Sequence, residues 1–84
     1  MQKRLYVGNL APTINETRLR SFFDSYGRVD DVEVVYDHET SRSKGFGYVT
    51  FLDAKDAGNG LNANGTELED QTLRVSYAQE RQLA

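Results

Sequence analysis

The chain contains no cysteine and no tryptophan, and only one histidine, one proline and one methionine among 84 residues. Without cysteine it can hold neither a disulfide framework nor a thiolate metal site. The single histidine, His38, lies in a polar run and cannot make a histidine-rich metal cluster. One loop histidine and no cysteine also leave no Ser-His-Asp or Cys-His catalytic set. No apolar run approaches the length of a membrane span. The opening MQKRLYVGNL shows no secretory pattern, so an intracellular location is the expectation. Positive charge is scarce too. Ten Lys and Arg against thirteen Asp and Glu give a net charge of −3, which argues against a general polyanion binder. The length predicts one domain over residues 1–84, with a core at about 3–78 and a polar tail at 79–84.

What is present is alternation. Residues of an extended chain point to opposite faces in turn. Arg4 to Gly8 predicts a strand with Leu5 and Val7 on one face and Arg4 and Tyr6 on the other. Val29 to Tyr36 predicts a second, with Val32 and Val34 opposed to Glu33 and Val35. Lys44 to Phe51, read as KGFGYVTF, predicts a third. Val49 and Phe51 go one way with Gly47; Phe46 and Tyr48 go the other with Thr50. Thr72 to Tyr77 predicts the last, with Leu73 and Val75 inward and Arg74 and Ser76 outward. Between the first two strands, Asn15 is a helix N-cap with Glu16 suited to the helix dipole. Ile14 and Leu19 have the spacing of a hydrophobic staple. Leu19, Phe22, Phe23 and Tyr26 follow helical periodicity, and Gly27 is the expected stop. Asp53 caps a second, weaker helix to about Leu61. Gly58 and Gly60 each weaken it by about 1 kcal/mol, and a close helix–sheet approach would explain a small residue there. A short strand near Leu68 is a further expectation.

The order is βαββαβ, a split βαβ or ferredoxin-like arrangement. The predicted class is α+β: a four-stranded antiparallel sheet with both helices on one face, because only one apolar set alternates through the strands. Tyr6, Phe46 and Tyr48 then fall on the uncovered face. Clustered exposed aromatics mark interaction sites, and a sheet carrying rings suits the flat faces of unpaired nucleobases.

LYVGNL at Leu5–Leu10 and KGFGYVTF at Lys44–Phe51 resemble the hexamer and octamer signatures of the RNA-recognition motif, with Tyr48 where the common octamer has phenylalanine. The resemblance runs from Lys3 to Ala78 and includes the element order. It implies that Tyr6 and Tyr48 stack on bases, that Phe46 packs between sugars, and that Lys44 meets a phosphate. Asn9 stands at the hexamer's usual asparagine. Arg42 and Lys3 are weaker candidates. Glu33, Val35, Arg74 and Ser76 would read base edges, joined by backbone near Ala78 and Gln79. The implied partner is single-stranded RNA, with single-stranded DNA and protein partners as further expectations. No cofactor, metal, membrane or catalysis is expected. The isolated domain is expected to be monomeric and to serve RNA processing in the nucleus and/or cytoplasm.

Departures from the family pattern lie in the loops. Ser41 stands where a similar loop carries glycine, Asp70-Gln71 where a Gly-Arg pair is common, and Gly60 where alanine is usual. Lys3, Arg4, Arg42, Lys44, Arg74 and Arg81 map to the open face or its rim, and most carboxylates map behind it. Glu33 and Asp37 are the exceptions. The alternative is a protein-interaction module of the same fold, which the acidic balance keeps open; intact aromatics, with Arg18 and Arg20 on the first helix, count against it. An acylphosphatase-like enzyme would need an anion-cradling first loop, and GNLAPTIN has no basic residue. Asn15-Glu16-Thr17 and Asn64-Gly65-Thr66 match the glycosylation pattern by chance, given no secretory signal.

Overall fold

Alternating apolar residues that must share one dry side, and two helices to cover it, produce the architecture of the computed structural model, which describes residues 2–78. The main elements are β1 (Arg4–Gly8), α1 (Glu16–Phe23), β2 (Val29–Tyr36), β3 (Ser43–Phe51) and α2 (Ala54–Gly60). A 3-10 turn (Leu61–Ala63) follows, then β4 (Glu67–Leu68), β5 (Gln71–Thr72) and β6 (Arg74–Tyr77). The sheet is antiparallel in the order β2-β3-β1-β6. This is the predicted α+β split βαβ fold. The final strand departs from expectation. Its first residue, Thr72, belongs with Gln71 to a separate hairpin with Glu67–Leu68, and only Arg74–Tyr77 joins the sheet.

The core is the inward set. Leu5, Val7, Val49, Phe51, Leu19 and Phe23 are all fully buried. Burying each of these larger side chains contributes about 1.5–3 kcal/mol. The rings of Phe23 and Phe51 meet edge-on at 6.2 Å. Gly60 explains its own presence: a Cβ there would lie 2.8 Å from Leu5 Cδ1 and 3.0 Å from the Phe51 ring. Helix propensity is given up for close packing on the sheet.

Asn15 caps α1 as expected, its Oδ1 accepting from the Arg18 N–H. The helix stops earlier than Gly27, at Phe23, and continues as a turn in which Tyr26 N–H bonds Phe23 O. Gly27 serves packing instead: a Cβ there would sit 2.5 Å from the Cβ of Asp56, whose carboxylate accepts the Arg28 N–H. Two α1 side chains one turn apart cover the exposed edge of β2. Glu16 accepts the Val34 N–H and the Tyr36 hydroxyl, while Arg20 donates to the carbonyls of Val29 and Asp30. An edge strand so engaged is a poor template for strand addition.

The β4–β5 hairpin turns on Glu69 and Asp70, at φ 52° and 67°. A two-residue turn with both centres at positive φ normally takes Asn-Gly. Here Glu69 is tied down by the Thr13 hydroxyl at 2.7 Å and by Arg18 Nε at 3.2 Å. Replacing Asp70 by glycine removes the left-handed strain, about 1–2 kcal/mol for most residues and less for Asp, against the entropy of a freer unfolded chain, about 0.5–1 kcal/mol. The expected gain for Asp70→Gly is therefore at most about 0.5 kcal/mol, read as a rise in Tm of up to a few degrees; a lower Tm contradicts it.

The Thr13 hydroxyl, and then Arg18, hold the Glu69 carboxyl below the usual carboxylate range. A lowered folded pKa means that this stabilisation is present above the unfolded value and is lost as pH falls through the folded one. Thermal melts from neutral pH into acid should show a smaller acid loss for Glu69→Gln than for the unchanged chain.

Candidate nucleic-acid interface

The pairing register lays the uncovered face out as a grid. One row across the sheet is Glu33, Tyr48, Tyr6 and Ser76. The row on one side holds Asp31, Thr50 and Arg4; the row on the other holds Phe46, Gly8 and Arg74. The three predicted aromatics therefore occupy neighbouring cells of the two central strands. Their ring centroids form a near-equilateral triangle: Tyr6–Phe46 5.8 Å, Tyr6–Tyr48 6.0 Å and Phe46–Tyr48 6.2 Å. Each is half-buried, because each shields its neighbours. The planes differ, with 32° between Tyr6 and Phe46 and 88° between Phe46 and Tyr48. One flat ligand cannot lie on all three, but separate rings can.

Two glycines shape this surface. Gly45, at φ +86°, lies where the β2–β3 register shifts beyond Val34. The shift is confined to the β2 side; on the β1 side the register runs unbroken and sets Phe46 opposite Gly8. Gly8 leaves room for Tyr6 to fold over it: a Cβ there would meet the Tyr6 hydroxyl at 2.6 Å and Cε2 at 2.9 Å.

The predicted polar residues divide. Glu33, Arg74 and Ser76 are exposed on the platform face, and Val35 is half-buried beside it. Lys44 is exposed at the start of β3, near enough to Asp37 to help lower its carboxyl. The main causes of that lowering are the backbone N–H groups of Thr40 and Glu39, which bond Asp37 and shape the loop in which Ser41 takes φ +62°. Arg42 lines a different groove, with Pro12 and Tyr36, and does not join the rings. Lys3 shares the alternation of Leu5 and Val7, and its carbonyl accepts the Phe51 N–H. Asn9, at φ +61°, spends its amide on a scaffold, donating to Thr72 O at 2.8 Å and accepting from Gln71. Both backbone groups of Ala78 have partners, Arg4 O for its N–H and the Gln2 amide for its carbonyl. Gln79 and Arg81 lie outside the described residues.

Arg4 and Asp31 belong to the platform although neither was singled out as a contact residue. Their parity with Tyr6 and Glu33 was the available signal. The Arg4 guanidinium lies 4.3 Å from the centroid of the Tyr48 ring and bonds Glu33 at 3.2 Å. Arg4, Tyr48 and Glu33, with Tyr6, Ser76, Tyr77 and Ala78, line a cavity of about 440 Å³.

A split βαβ sheet with an aromatic open face defines a class of single-sheet binding domains. The chain belongs to the RNA recognition motif family, which it matches over residues 5–74. It is 42% identical over 79 residues to a 31 kDa chloroplastic ribonucleoprotein of Nicotiana plumbaginifolia, covering 93% of this chain and 27% of that protein. It is 38% identical over 78 residues to the mitochondrial glycine-rich RNA-binding protein 5 of Arabidopsis thaliana, with the same coverage. The chain thus spans about a quarter of the length of these relatives. Among solved structures, the RNA binding protein PG1 is similar at 35% identity and TM-score 0.88, covering 96% of this chain and 99% of that one. The second RRM domain of the yeast poly(U)-binding protein is similar at 28% identity and TM-score 0.84, covering 95% and 98%. Among the described residues, no helix is long and apolar enough to cross a membrane.

Alanine at Gly8 fits the backbone but not the Tyr6 ring. Gly8→Ala should change the near-ultraviolet circular dichroism of the aromatic cluster while leaving the far-ultraviolet spectrum intact. An unchanged near-ultraviolet spectrum would show that the ring does not rest there.

Proposed function

We propose that this domain binds short single-stranded RNA across its open sheet and performs no chemistry. Bases stack on Tyr6 and Tyr48, Phe46 packs between sugars, and Lys44 meets a phosphate. Glu33, Val35, Arg74 and Ser76 face base edges, and backbone groups near Ala78 and Gln79 join them in contacting RNA. Arg42, Lys3 and Asn9 have lesser parts, the first two as outlying cations and the third as a brace for the rim. Single-stranded DNA is a second ligand of the same chemistry, and the isolated domain, residues 1–84, acts as a monomer. Family membership and relatives named for RNA binding support the ligand class. The observation that carries the reading is the triangle of rings about 6 Å apart on the two central strands. The nuclear or cytoplasmic setting and a role in RNA processing draw no support from these relatives, whose names place them in chloroplasts and mitochondria.

Stacking supplies about 1–3 kcal/mol per base. Charge supplies less, since Arg4 is already paired with Glu33. With about two or three phosphates neutralised, the salt slope should be about −1.4 to −2.1. The affinity should lie near micromolar, about −8 kcal/mol. Fluorescence anisotropy with labelled single-stranded oligonucleotides tests both. Phe46→Ala with Tyr48→Ala should weaken binding by at least about tenfold with the fold retained. Undiminished binding in that variant, or none by the unchanged chain at tens of micromolar, rules the reading out.

A further inference from the structure

The Tyr48 ring is not bare. Arg4 reaches from β1 across β3 to Glu33 on β2, and its guanidinium sits 4.3 Å above the ring on the way. A base that stacks on Tyr48 takes this layer, so the Arg4–Glu33 pair must open or slide to the edge of the base. The exchange is favourable in outline. An exposed cation–π contact contributes about 0.5–1 kcal/mol and an exposed ion pair about 0–1 kcal/mol, against about 1–3 kcal/mol for the stack. What remains is to give both charged groups new partners.

We propose that the base read at Tyr48 is guanine, with Glu33 as the specificity-determining residue and Arg4 completing the contact. The inference rests on the RNA-binding reading above. Glu33 is the cross-strand neighbour of Tyr48, so its carboxylate borders any base on that ring. An ionised carboxylate only accepts, through two oxygens. Guanine presents two adjacent donors on one edge, N1–H and the N2 amino group, beside the acceptor O6. The two donors match the two carboxylate oxygens, and O6 falls to the guanidinium, whose fork suits that atom. Uracil offers a single N3–H between two carbonyls. Adenine and cytosine set one amino group beside a ring nitrogen whose lone pair faces the second carboxylate oxygen. Those bases fill only one of the two carboxylate oxygens and leave the other facing a lone pair or a carbonyl, and an unmatched polar edge is the strongest source of discrimination. Asp31, in the next row of the same strand, adds to the acceptor character of this border and turns phosphates away from it. The cavity of about 440 Å³ between Tyr48, Arg4, Glu33 and Ser76 leaves room for the base.

The test is anisotropy titration of the full chain with four uridine-rich RNA heptamers that differ only at the central base. The guanine heptamer should bind at least about tenfold more tightly than the other three. Glu33→Gln replaces an acceptor pair by one acceptor and one donor, the pattern that suits adenine. It should abolish the guanine preference and move it towards adenine, with thermal melting unchanged. Arg4→Ala should reduce the preference without reversing it. Equal binding of all four heptamers, or a guanine preference that survives Glu33→Gln, overturns the assignment. If equal binding is still lost in Phe46→Ala with Tyr48→Ala, the stacking platform stands and only the guanine reading falls. If no heptamer binds, both fall.

Discussion

A sheet covered by helices on one face has no choice about its other face. Each inward side chain that builds the core fixes the direction of its neighbours. Leu5 and Val7 point inward, so Tyr6 between them points out. Val49 and Phe51 do the same for Tyr48. Core and platform are two sides of the same strands, locked by one register in which Tyr6 lies opposite Tyr48. A slip by one residue would bury the rings and expose the core. The apolar core therefore holds the register that the binding face needs, and closely packed contacts such as Gly60 against Leu5 and Phe51 protect it.

The surroundings of the platform are less economical. Four non-glycine residues, Asn9, Ser41, Glu69 and Asp70, have positive φ. Each such residue costs about 1–2 kcal/mol, less for Asn and Asp. The side chains nearby explain how the conformations persist. Asn9 bridges to Thr72, Glu69 to Thr13 and Arg18, and Asp37 gathers the N–H groups of Glu39 and Thr40 around the Ser41 turn. Asn9 and Glu69 tie the β1–α1 segment to the β4–β5 hairpin, and together with the Asp37 loop they stiffen the platform's borders while the core holds its centre.

Period-two alternation made most of this legible in the sequence. The strand limits of β1 and β2, the Asn15 and Asp53 caps, and the three outward rings all follow from local pattern. Three things do not. Helix α1 ends at Phe23, and Gly27, instead of stopping it, packs against Asp56, a contact across 29 positions of sequence. The last strand divides because Leu73 N–H turns to Thr66 O instead of a sheet neighbour. Arg42 lies with Pro12 and Tyr36 because a bulge and a tight loop redirect the chain there. Alternation orders residues within a strand; it carries no information about bulges, loops or contacts between distant segments. Arg4 is the instructive omission. Its outward direction was readable, but its reach across two strands to Tyr48 and Glu33 depends on a pairing register with residues 44 and 29 positions away.

Net negative charge and a nucleic-acid platform are compatible once charge is placed on the grid. The β2 column carries Asp31 and Glu33 outward, while β1 and β6 carry Arg4 and Arg74. Phosphates are repelled from the first side and attracted to the second. Base edges rich in amino groups have the opposite preference. On the proposed RNA-binding reading, this arrangement favours donor-bearing base edges toward β2 and phosphates toward Arg74 on β6. At physiological ionic strength the Debye length is about 8 Å, comparable to the spacing of two strands at about 4.8 Å each. Charges one or two columns from a nucleotide act on it, and those behind the helices scarcely do. The total of −3 counts both alike, which is why it misjudges the face that matters.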